Sequence, residues 1–342
     1  MSVIPLPQAN TTRRTVRPPL ISVVVPTYKR PQLLARCLVP LLDQHWLEAE
    51  DYEILVVDDG HCDESAALVA SFMQPDGPRL RYLRPLHGKG PAVARNMGWR
   101  AAKAPLVAFT DDDTVPAHDW LAAGRMALMD HPEWSAAGGH VTVPRSHEAP
   151  TDNALMTIGL EAAEFVTANA FVRRAALLRV DGFDERFGAA WREDSDLQFR
   201  LEDEVGPVGR ADDAVVAHPV RGEPWGASLR RQRNVVFDAL LYKKHPQRYR
   251  RSIRRTPPWD YYAIVALSAG AAVAVAAGAP RLSLAALAAA GVLIGRFAWR
   301  RLARTSHARR HVIEMLCTSA LIPFASVYWR LRGALRWRTA FL

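Results

Sequence analysis

The sequence predicts an α/β fold with a mostly parallel central sheet, followed by a C-terminal α-helical region that associates with a membrane. Over residues 1–220, apolar β-branched runs alternate with amphipathic helical segments, as in doubly wound sheets. Several of these runs end in polar clusters, and α/β sheets bind ligands at the carboxyl ends of their strands. Charge is also divided unevenly, because residues 1–220 carry 22 basic and 31 acidic side chains whereas residues 221–342 carry 22 and 4.

The predicted strands are short, continuous apolar runs, which are typical of strands buried on both faces of a parallel sheet. We expect them at 20–26, 52–57, 80–84, 106–108 and 135–143. A helix is predicted from Pro31, because proline suits a first helical turn and the leucines that follow share one face. Further helices are predicted at 63–73, around 94–96 and at 120–129, and residues 144–160 are expected to form a loop.

The N-terminus and the cysteines indicate the cellular compartment in which the protein is expected. Residues 1–18 contain three arginines with no apolar stretch behind them, so we expect a disordered basic arm and not a secretory signal. Cys37, Cys62 and Cys317 lie far apart in the sequence and form no CxxC pair. This spacing is typical of neither a disulfide framework nor a zinc site, and it favours a reducing compartment.

Three consecutive carboxylates, Asp111, Asp112 and Asp113, follow the apolar run at 106–108. Like charges at one strand end repel one another, so their proximity favours a compensating cation. Oxygen ligands suit Mg²⁺ or Mn²⁺, which are commonly shared with a substrate phosphate. The alternative is an acidic turn that caps the next helix, since aspartate is a good N-cap residue.

Two more strand ends are polar, and we expect them to meet the triple aspartate at one sheet edge, where a nucleotide would bind. They carry Thr27, Tyr28 and Arg30 after the first strand, and Asp58 and Asp59 after the second. The sequence has neither GxGxxG after the first strand nor GxxxxGK[ST], which disfavours dinucleotide and P-loop binding.

Each of two basic residues near this edge allows two interpretations. Lys89 lies in the loop Gly88-Lys89-Gly90, which is either a phosphate-binding loop or simply a flexible one. Arg95 is either a phosphate contact near a helix start or an ordinary exposed helix residue.

A second acidic cluster, at Glu193 and Asp194, lies where a helix is predicted to begin. Backbone N–H groups at a helix start stabilise carboxylates, so the cluster is either a functional pair or a capping turn. His218 is either a metal ligand or a surface loop residue.

These motifs together resemble those of family 2 glycosyltransferases of the GT-A fold, and the resemblance covers about residues 20–220. Six motifs occur in the family's order: Pro26-Thr27-Tyr28-Lys29-Arg30, Val56-Val57-Asp58-Asp59-Gly60, Ala94-Arg95-Asn96, Thr110-Asp111-Asp112-Asp113, Gly182-Phe183-Asp184-Glu185 and Glu193-Asp194-Ser195-Asp196-Leu197.

The resemblance implies a role for each motif. Asp111 and Asp113 match the DxD-type motif that binds the ribose and a divalent metal, Mn²⁺ or Mg²⁺, which bridges the diphosphate. Thr27, Tyr28, Arg30, Asp58 and Asp59 resemble the residues that hold the nucleobase and ribose. We also expect Pro26, Lys89, Arg95 and Asp112 to line the donor site. Glu193-Asp194 matches the element whose aspartate is the catalytic base, and His218 lies where some members complete the metal shell. The QxxRW motif of processive synthases is missing near Gln232, which favours transfer of single sugars.

The basic C-terminal part is predicted to associate with a membrane. Residues 228–242 form an amphipathic pattern that fits either a membrane surface or the side of the catalytic domain. Residues 261–279 are uncharged, and 282–299 are nearly so, which predicts a helical hairpin, with a soluble helical bundle as the alternative. Around 312–330 we expect an interfacial or re-entrant helix. The resulting division is a catalytic domain at 19–222, basic interface helices at 223–258 and membrane-associated helices at 259–342.

Basic residues at 243–255 and 300–310 flank the hairpin and favour a cytoplasmic position for both ends. The sequence therefore predicts a metal-dependent, inverting glycosyltransferase at the cytoplasmic face of the plasma (inner) membrane. Its donor would be a UDP-sugar or another NDP-sugar, its acceptor a lipid-linked or envelope glycan, and nucleic acid is not expected as a partner. The alternatives are a nucleotidyltransferase of similar fold and a non-catalytic membrane scaffold with a degenerate nucleotide site.

Overall fold

The computed structural model describes residues 17–342, so the predicted disordered arm lies almost wholly outside the described residues. Eight strands form one sheet in the order β3-β2-β1-β4-β7-β6-β8-β5. In chain order they are Ile21–Thr27 (β1), Tyr52–Asp58 (β2), Arg79–Leu83 (β3), Leu106–Thr110 (β4), Val115–Pro116 (β5), Ala136–Thr142 (β6), Asn169–Arg173 (β7) and Val208–Ala217 (β8). Strands β3, β2, β1 and β4 are parallel, as predicted, whereas β7 pairs antiparallel with both β4 and β6.

Seven helices accompany the sheet strands: Pro31–Leu42 (α1), Asp63–Phe72 (α2), Pro91–Ala101 (α3), Trp120–Asp130 (α4), Asp152–Ile158 (α5), Arg174–Arg179 (α6) and Glu193–Glu204 (α7). Alternate residues of β1 face opposite cores, because side chains of a strand point to opposite faces. Val23 and Val25 pack in the core under α1 and α4, whereas Val24 packs in the core beside α3 and α7. The sheet is thus covered on both faces by helices.

This region contains one helix and three strands, β5, β7 and β8, that were not predicted from the sequence. The expected loop at 144–160 contains α5, which begins after Thr151, whose hydroxyl accepts a hydrogen bond from the Ala154 amide at 3.1 Å. Strand β8 was not predicted, because exposed charged residues such as Asp212 and Asp213 interrupt its apolar pattern.

The junction of β6, β7 and β8 depends on Asn169. Its amide donates to the carbonyl oxygens of His140 and Ala214, and its side-chain oxygen accepts from the Trp120 indole at 2.8 Å. These bonds lie where the β6–β8 register shifts, between Gly139 and His140. A Cβ on Gly139 would lie 2.2 Å from the Asn169 side-chain oxygen, so only glycine fits there.

The C-terminal part consists of helices Ala227–Arg230 (α8), Val235–Lys244 (α9), Pro246–Arg248 (α10), Trp259–Ala276 (α11), Pro280–Leu302 (α12) and Arg309–Trp337 (α13). The single helix expected at 228–242 is split, since a 3₁₀ turn separates α8 from α9. One side of α9 packs in a core cluster with Phe187 and Phe199, which corresponds to the packed alternative and not to a helix lying on a membrane.

Three of these helices, α11, α12 and α13, are long and apolar enough to cross a membrane by length and composition. The helix expected at 312–330 is longer, 29 residues, and it buries polar side chains while it exposes large apolar ones. Its buried side carries Thr318, Ser319, Ser326 and Arg330, whereas its outward side exposes a row of large apolar residues: Ile313, Leu316, Leu321, Phe324, Tyr328, Leu331 and Leu335. An exposed apolar row of this length is typical of a surface in contact with lipid.

Candidate active site

The polar ends of β1, β2 and β4 lie side by side, as the sequence predicted. Thr27 at the end of β1 is in register with Asp58 at the end of β2, and β4 delivers the triple aspartate on the other side of β1. The Thr27 hydroxyl donates to Asp112 at 2.7 Å, which ties the β1 end to the loop after β4. These three strand ends form the floor of one cleft.

Several predicted donor-binding residues are buried in this floor and support it instead of facing a ligand. Pro26 and Thr27 lie in a fully buried strand, and the Asp112 side chain has no exposed surface. Asp112 pairs with Arg30 at 2.6 Å, and burial raises the pKa of this carboxyl to about 6. In this structure the polar side-chain atoms of Thr27 and Asp112 bind other protein groups, and donor contact by these residues stays a prediction.

Asp58 has a similar supporting role at the end of β2. Its buried carboxylate accepts hydrogen bonds from the backbone amides of Gly60 at 2.8 Å and Cys62 at 2.6 Å, and from the Tyr82 hydroxyl. This arrangement fixes the turn that follows the strand and leaves the carboxylate no free surface for a nucleobase. The half-buried Asp59 accepts instead from the amide of Gly90, at 2.7 Å, and so ties the 88–90 loop to the cleft.

Two predicted residues lie at the rim of the cleft. The Tyr28 ring is 53% exposed and is available to stack on a planar group. Lys89 is exposed in the 88–90 loop, and Gly90 there has φ of 108°, a backbone conformation that L side chains rarely adopt.

Arg95 connects the two acidic clusters. It lies on α3, is 2% exposed, and donates to Asp111 at 2.7 Å and to Glu193 at 2.9 Å. Neither an exposed helix residue nor a direct phosphate contact describes it, since both ends of the guanidinium face buried or half-buried carboxylates. Residues 111 and 193, far apart in the chain, therefore belong to one site.

Arg95 also sets the charge of Asp111. Burial works to raise the pKa of Asp111, but the positive charge and hydrogen bond of Arg95 outweigh it and hold that pKa below the ordinary value. Asp111 therefore carries a negative charge at neutral pH.

Asp113 has two guanidinium groups and an imidazole around it. Arg221 forms an ion pair with it at 2.9 Å, Arg30 lies at 3.6 Å, and the His218 Nε2 atom lies 3.7 Å from its other carboxylate oxygen. The sequence analysis missed Arg221, which stands three residues after His218 on the segment leaving β8 and has no motif of its own. Its position shows that the segment after β8 closes over the triple aspartate.

The residues around Asp111 fit a divalent metal by their donor types. Asp111 uses one carboxylate oxygen for Arg95, Asp113 presents one oxygen toward His218, and the buried Nδ1 of His218 has no hydrogen-bond partner among the described residues. Mn²⁺ binds both carboxylates and imidazole, whereas Mg²⁺ prefers the carboxylate oxygens. The three ligands predicted from the sequence thus have suitable donor atoms, but among the described residues those atoms do not all lie within 4.8 Å of one another, so binding one ion would require them to move closer together.

Glu193 and Asp194 open α7, whose first turn presents backbone N–H groups to them. Glu193 is 3% exposed and has one buried oxygen without a hydrogen-bond partner among the described residues. Asp194 is half-buried and accepts from the Ser195 amide at 2.7 Å. Burial raises the pKa of both carboxyls, and the charge of Asp194 raises that of Glu193 further, so this pair holds protons more readily than ordinary carboxylates.

A second group of possible metal ligands, Asp43, His45 and His118, lies at the far end of α1 and is exposed. The His118 Nδ1 atom lies 2.7 Å from the Asp43 carbonyl oxygen, and its ring stacks on His45 at 4.9 Å. These contacts account for the arrangement without an ion, so we assign it no role.

Comparison with known proteins adds a family to this geometry. A profile of the family described as "Glycosyl transferase family 2" matches residues 22–181. The validoxylamine A glucosyltransferase of Streptomyces hygroscopicus subsp. limoneus is 32% identical over 235 residues, which cover 58% of this chain and 50% of that protein. A Campylobacter jejuni GalNAc(5)-diNAcBac-PP-undecaprenol beta-1,3-glucosyltransferase is 34% identical over 112 residues, covering 32% of this chain and 33% of that protein.

Among solved structures, the chain is similar to the mannosyltransferase PcManGT from Pyrobaculum calidifontis, determined in complex with GDP-Man and Mn²⁺. The TM-score is 0.58 at 20% identity, with 94% of this chain and 88% of that one covered. At this identity the likeness shows the fold, and it extends through the C-terminal helices. The chain spans about half the length of the Streptomyces relatives that it matches.

Proposed function

We propose that this chain, which belongs to glycosyl transferase family 2 and has the GT-A fold as the motifs predicted, transfers a sugar from a nucleotide-sugar to an acceptor hydroxyl. The observation that carries the proposal is the double contact of Arg95 with Asp111 and Glu193. It joins the acids suited to a metal and a diphosphate to the acids suited to proton transfer.

The first half of the reaction is departure of a nucleoside diphosphate. Asp111 and Asp113, with His218, would hold Mn²⁺ or Mg²⁺, and the bound ion supplies positive charge to the leaving diphosphate. Arg221, Arg30 and the exposed Lys89 add positive charge along the same rim. Tyr28 provides an exposed ring for stacking on the nucleobase.

The second half is attack by the acceptor. Asp194, at the start of α7, takes the proton of the acceptor hydroxyl as that oxygen bonds to the anomeric carbon. The neighbouring Glu193 accepts a hydrogen bond from Arg95 and so ties the start of α7 to the site of Asp111. A single displacement with one base inverts the anomeric centre, and no enzyme-bound sugar is required.

One structural neighbour, one relative and the apolar helices support the proposed donor and acceptor classes. One structural neighbour was solved with GDP-Man, and one relative is named for an undecaprenol diphosphate-linked acceptor. Three apolar helices would keep the enzyme beside such a lipid. We therefore propose an NDP-sugar donor and a lipid-linked or envelope glycan acceptor at the cytoplasmic face of the plasma membrane.

We propose that the chain divides into a catalytic part and a membrane-associated part, joined by a connecting segment. A basic arm at 1–18 precedes a catalytic domain at 19–222, and residues 223–258 connect this domain to membrane-associated helices at 259–342. In this arrangement α11 and α12 form the inserted hairpin, while α13 lies at the interface with its apolar row toward lipid.

The test is a thermal-shift screen of the detergent-solubilised full chain against nucleotide-sugars, with Mn²⁺, Mg²⁺ or EDTA, because a ligand that binds the folded state raises its unfolding temperature. The donor that stabilises the chain is then incubated with lipid-extract acceptors, and the released product is identified. Release of a nucleoside diphosphate supports the proposal, whereas pyrophosphate indicates a nucleotidyltransferase. Stabilisation by no nucleotide-sugar and no product of either kind would point to a scaffold.

A further inference from the structure

We infer that Asp238, on α9, is a positioning residue for Glu193 and Asp194, because it holds the backbone turn directly before them. The inference deepens the proposed function and rests on it, since it assumes that Asp194 receives the acceptor proton. The family profile ends at residue 181, so it includes neither α7 nor α9.

The turn before α7 has a conformation that its residue does not favour. Arg192 has φ of 75° and ψ of −5°, in the left-handed region that L side chains other than asparagine and aspartate seldom adopt. Because this residue precedes Glu193, its backbone angles set the direction in which α7 begins. A strained backbone of this kind persists only where neighbouring groups hold it.

Asp238 supplies that restraint. Its carboxylate is buried, and one oxygen accepts from Nε of Arg192 at 2.7 Å while the other accepts from the Trp191 indole at 3.3 Å. The guanidinium of Arg192 also stacks on the Trp191 ring, 4.9 Å from its centre. One carboxylate thus fixes both residues that precede the catalytic pair.

Helix α9, which carries Asp238, contacts two other helices. At its far end, Lys244 and His245 contact Asp196 of α7 at 2.6 Å and 3.0 Å. On its other side α9 packs against α13, where a Cβ on Gly333 would lie 2.9 Å from that of Ala239. The α9 helix therefore joins α7, which carries the proposed base, to the lipid-facing helix α13.

A merely stabilising role for Asp238 predicts a different result from a positioning role. If Asp238 acts by holding the left-handed turn, glycine at position 192 removes the need for it, because glycine adopts positive φ at no steric cost. The loss caused by Asp238→Asn should then shrink in the Arg192→Gly background. A stabilising contact alone would give no such coupling in kcat.

The experiment measures kcat and donor KM for the full chain in nanodiscs, for both single variants and the double variant. We expect Asp238→Asn to lower kcat by about 10-fold or more with donor KM within about threefold, since misplacing a catalytic group costs turnover more than binding. In the Arg192→Gly background the same change should cost less than about threefold. Arg248→Gln is the matched control, because it breaks ion pairs to Glu202 and Asp203 at the opposite end of α7 and should leave kcat nearly unchanged.

Equal losses of kcat in both backgrounds, or an Asp238→Asn enzyme with wild-type turnover, would overturn the inference. Amide hydrogen exchange over residues 192–196 gives a readout that needs no substrate. We expect faster exchange there in Asp238→Asn but not in Arg248→Gln. If the wild-type chain transfers no sugar, the proposed function fails while the exchange data still decide whether Asp238 holds the turn, and unchanged exchange counts against it.

Discussion

The two acidic clusters of the cleft differ in what surrounds them. Asp111, Asp112 and Asp113 have ion pairs with Arg95, Arg30 and Arg221, whereas within the described residues no lysine or arginine pairs with Asp194. Arg95 lowers the pKa of Asp111, while burial raises the pKa of Asp194. Asp111 is thus suited to permanent negative charge and Asp194 to exchanging a proton, although both are aspartates.

The strongest test of this contrast removes the proton acceptor. We expect Asp194→Asn to lower kcat by about 10³-fold, because an amide cannot take the acceptor proton, while donor affinity stays within about threefold. Turnover and donor binding are measured separately, by product release and by calorimetry. Near-normal turnover would remove Asp194 from the base role.

A change in the triple aspartate should instead weaken donor binding. We expect Asp113→Ala to weaken Mn²⁺-dependent donor binding by about 10- to 100-fold or more, since a direct ligand should matter at least as much as the outer residues around a metal. Asp112→Asn is the matched control, because that side chain is fully buried and pairs with Thr27 and Arg30. Donor titrations with Mn²⁺ and with EDTA give the comparison, and equal losses in both variants would contradict separate roles.

A smaller effect is expected on the pH profile. Because the pKa of Asp194 is raised and the base acts deprotonated, kcat should fall as pH drops, with a midpoint above the ordinary value of about 4. The positive charge of Arg192 lowers the pKa of Asp194, so Arg192→Gln should move this midpoint to higher pH. The midpoint is read from kcat at a series of pH values, and a shift to lower pH would contradict the electrostatic coupling.

The smallest effect is expected outside the cleft. His118→Ala should change neither the Mn²⁺ dependence nor kcat, because the group with Asp43 and His45 is held by its own contacts. Metal titration of activity checks this expectation. A loss of metal activation in this variant would move the metal centre away from Asp111 and Asp113.

The sequence predicted the parts of this arrangement that depend on local pattern. Continuous apolar runs predicted the parallel strands, and the residues that follow them predicted which carboxylates share a cleft. The burial of Thr27, Asp58 and Asp112 was not predictable, because it depends on which way each side chain turns after its strand. Arg221 and Asp238 carry no motif either, and their importance arises only from contacts between segments distant in the chain.

The placement of Phe341 has a consequence for the order in which the protein assembles. This ring is fully buried in the cluster that contains Phe187 and Phe199, the latter a residue of α7. During synthesis it leaves the ribosome only after α11, α12 and α13 have emerged. This core is therefore completed only after the three long apolar helices have been made.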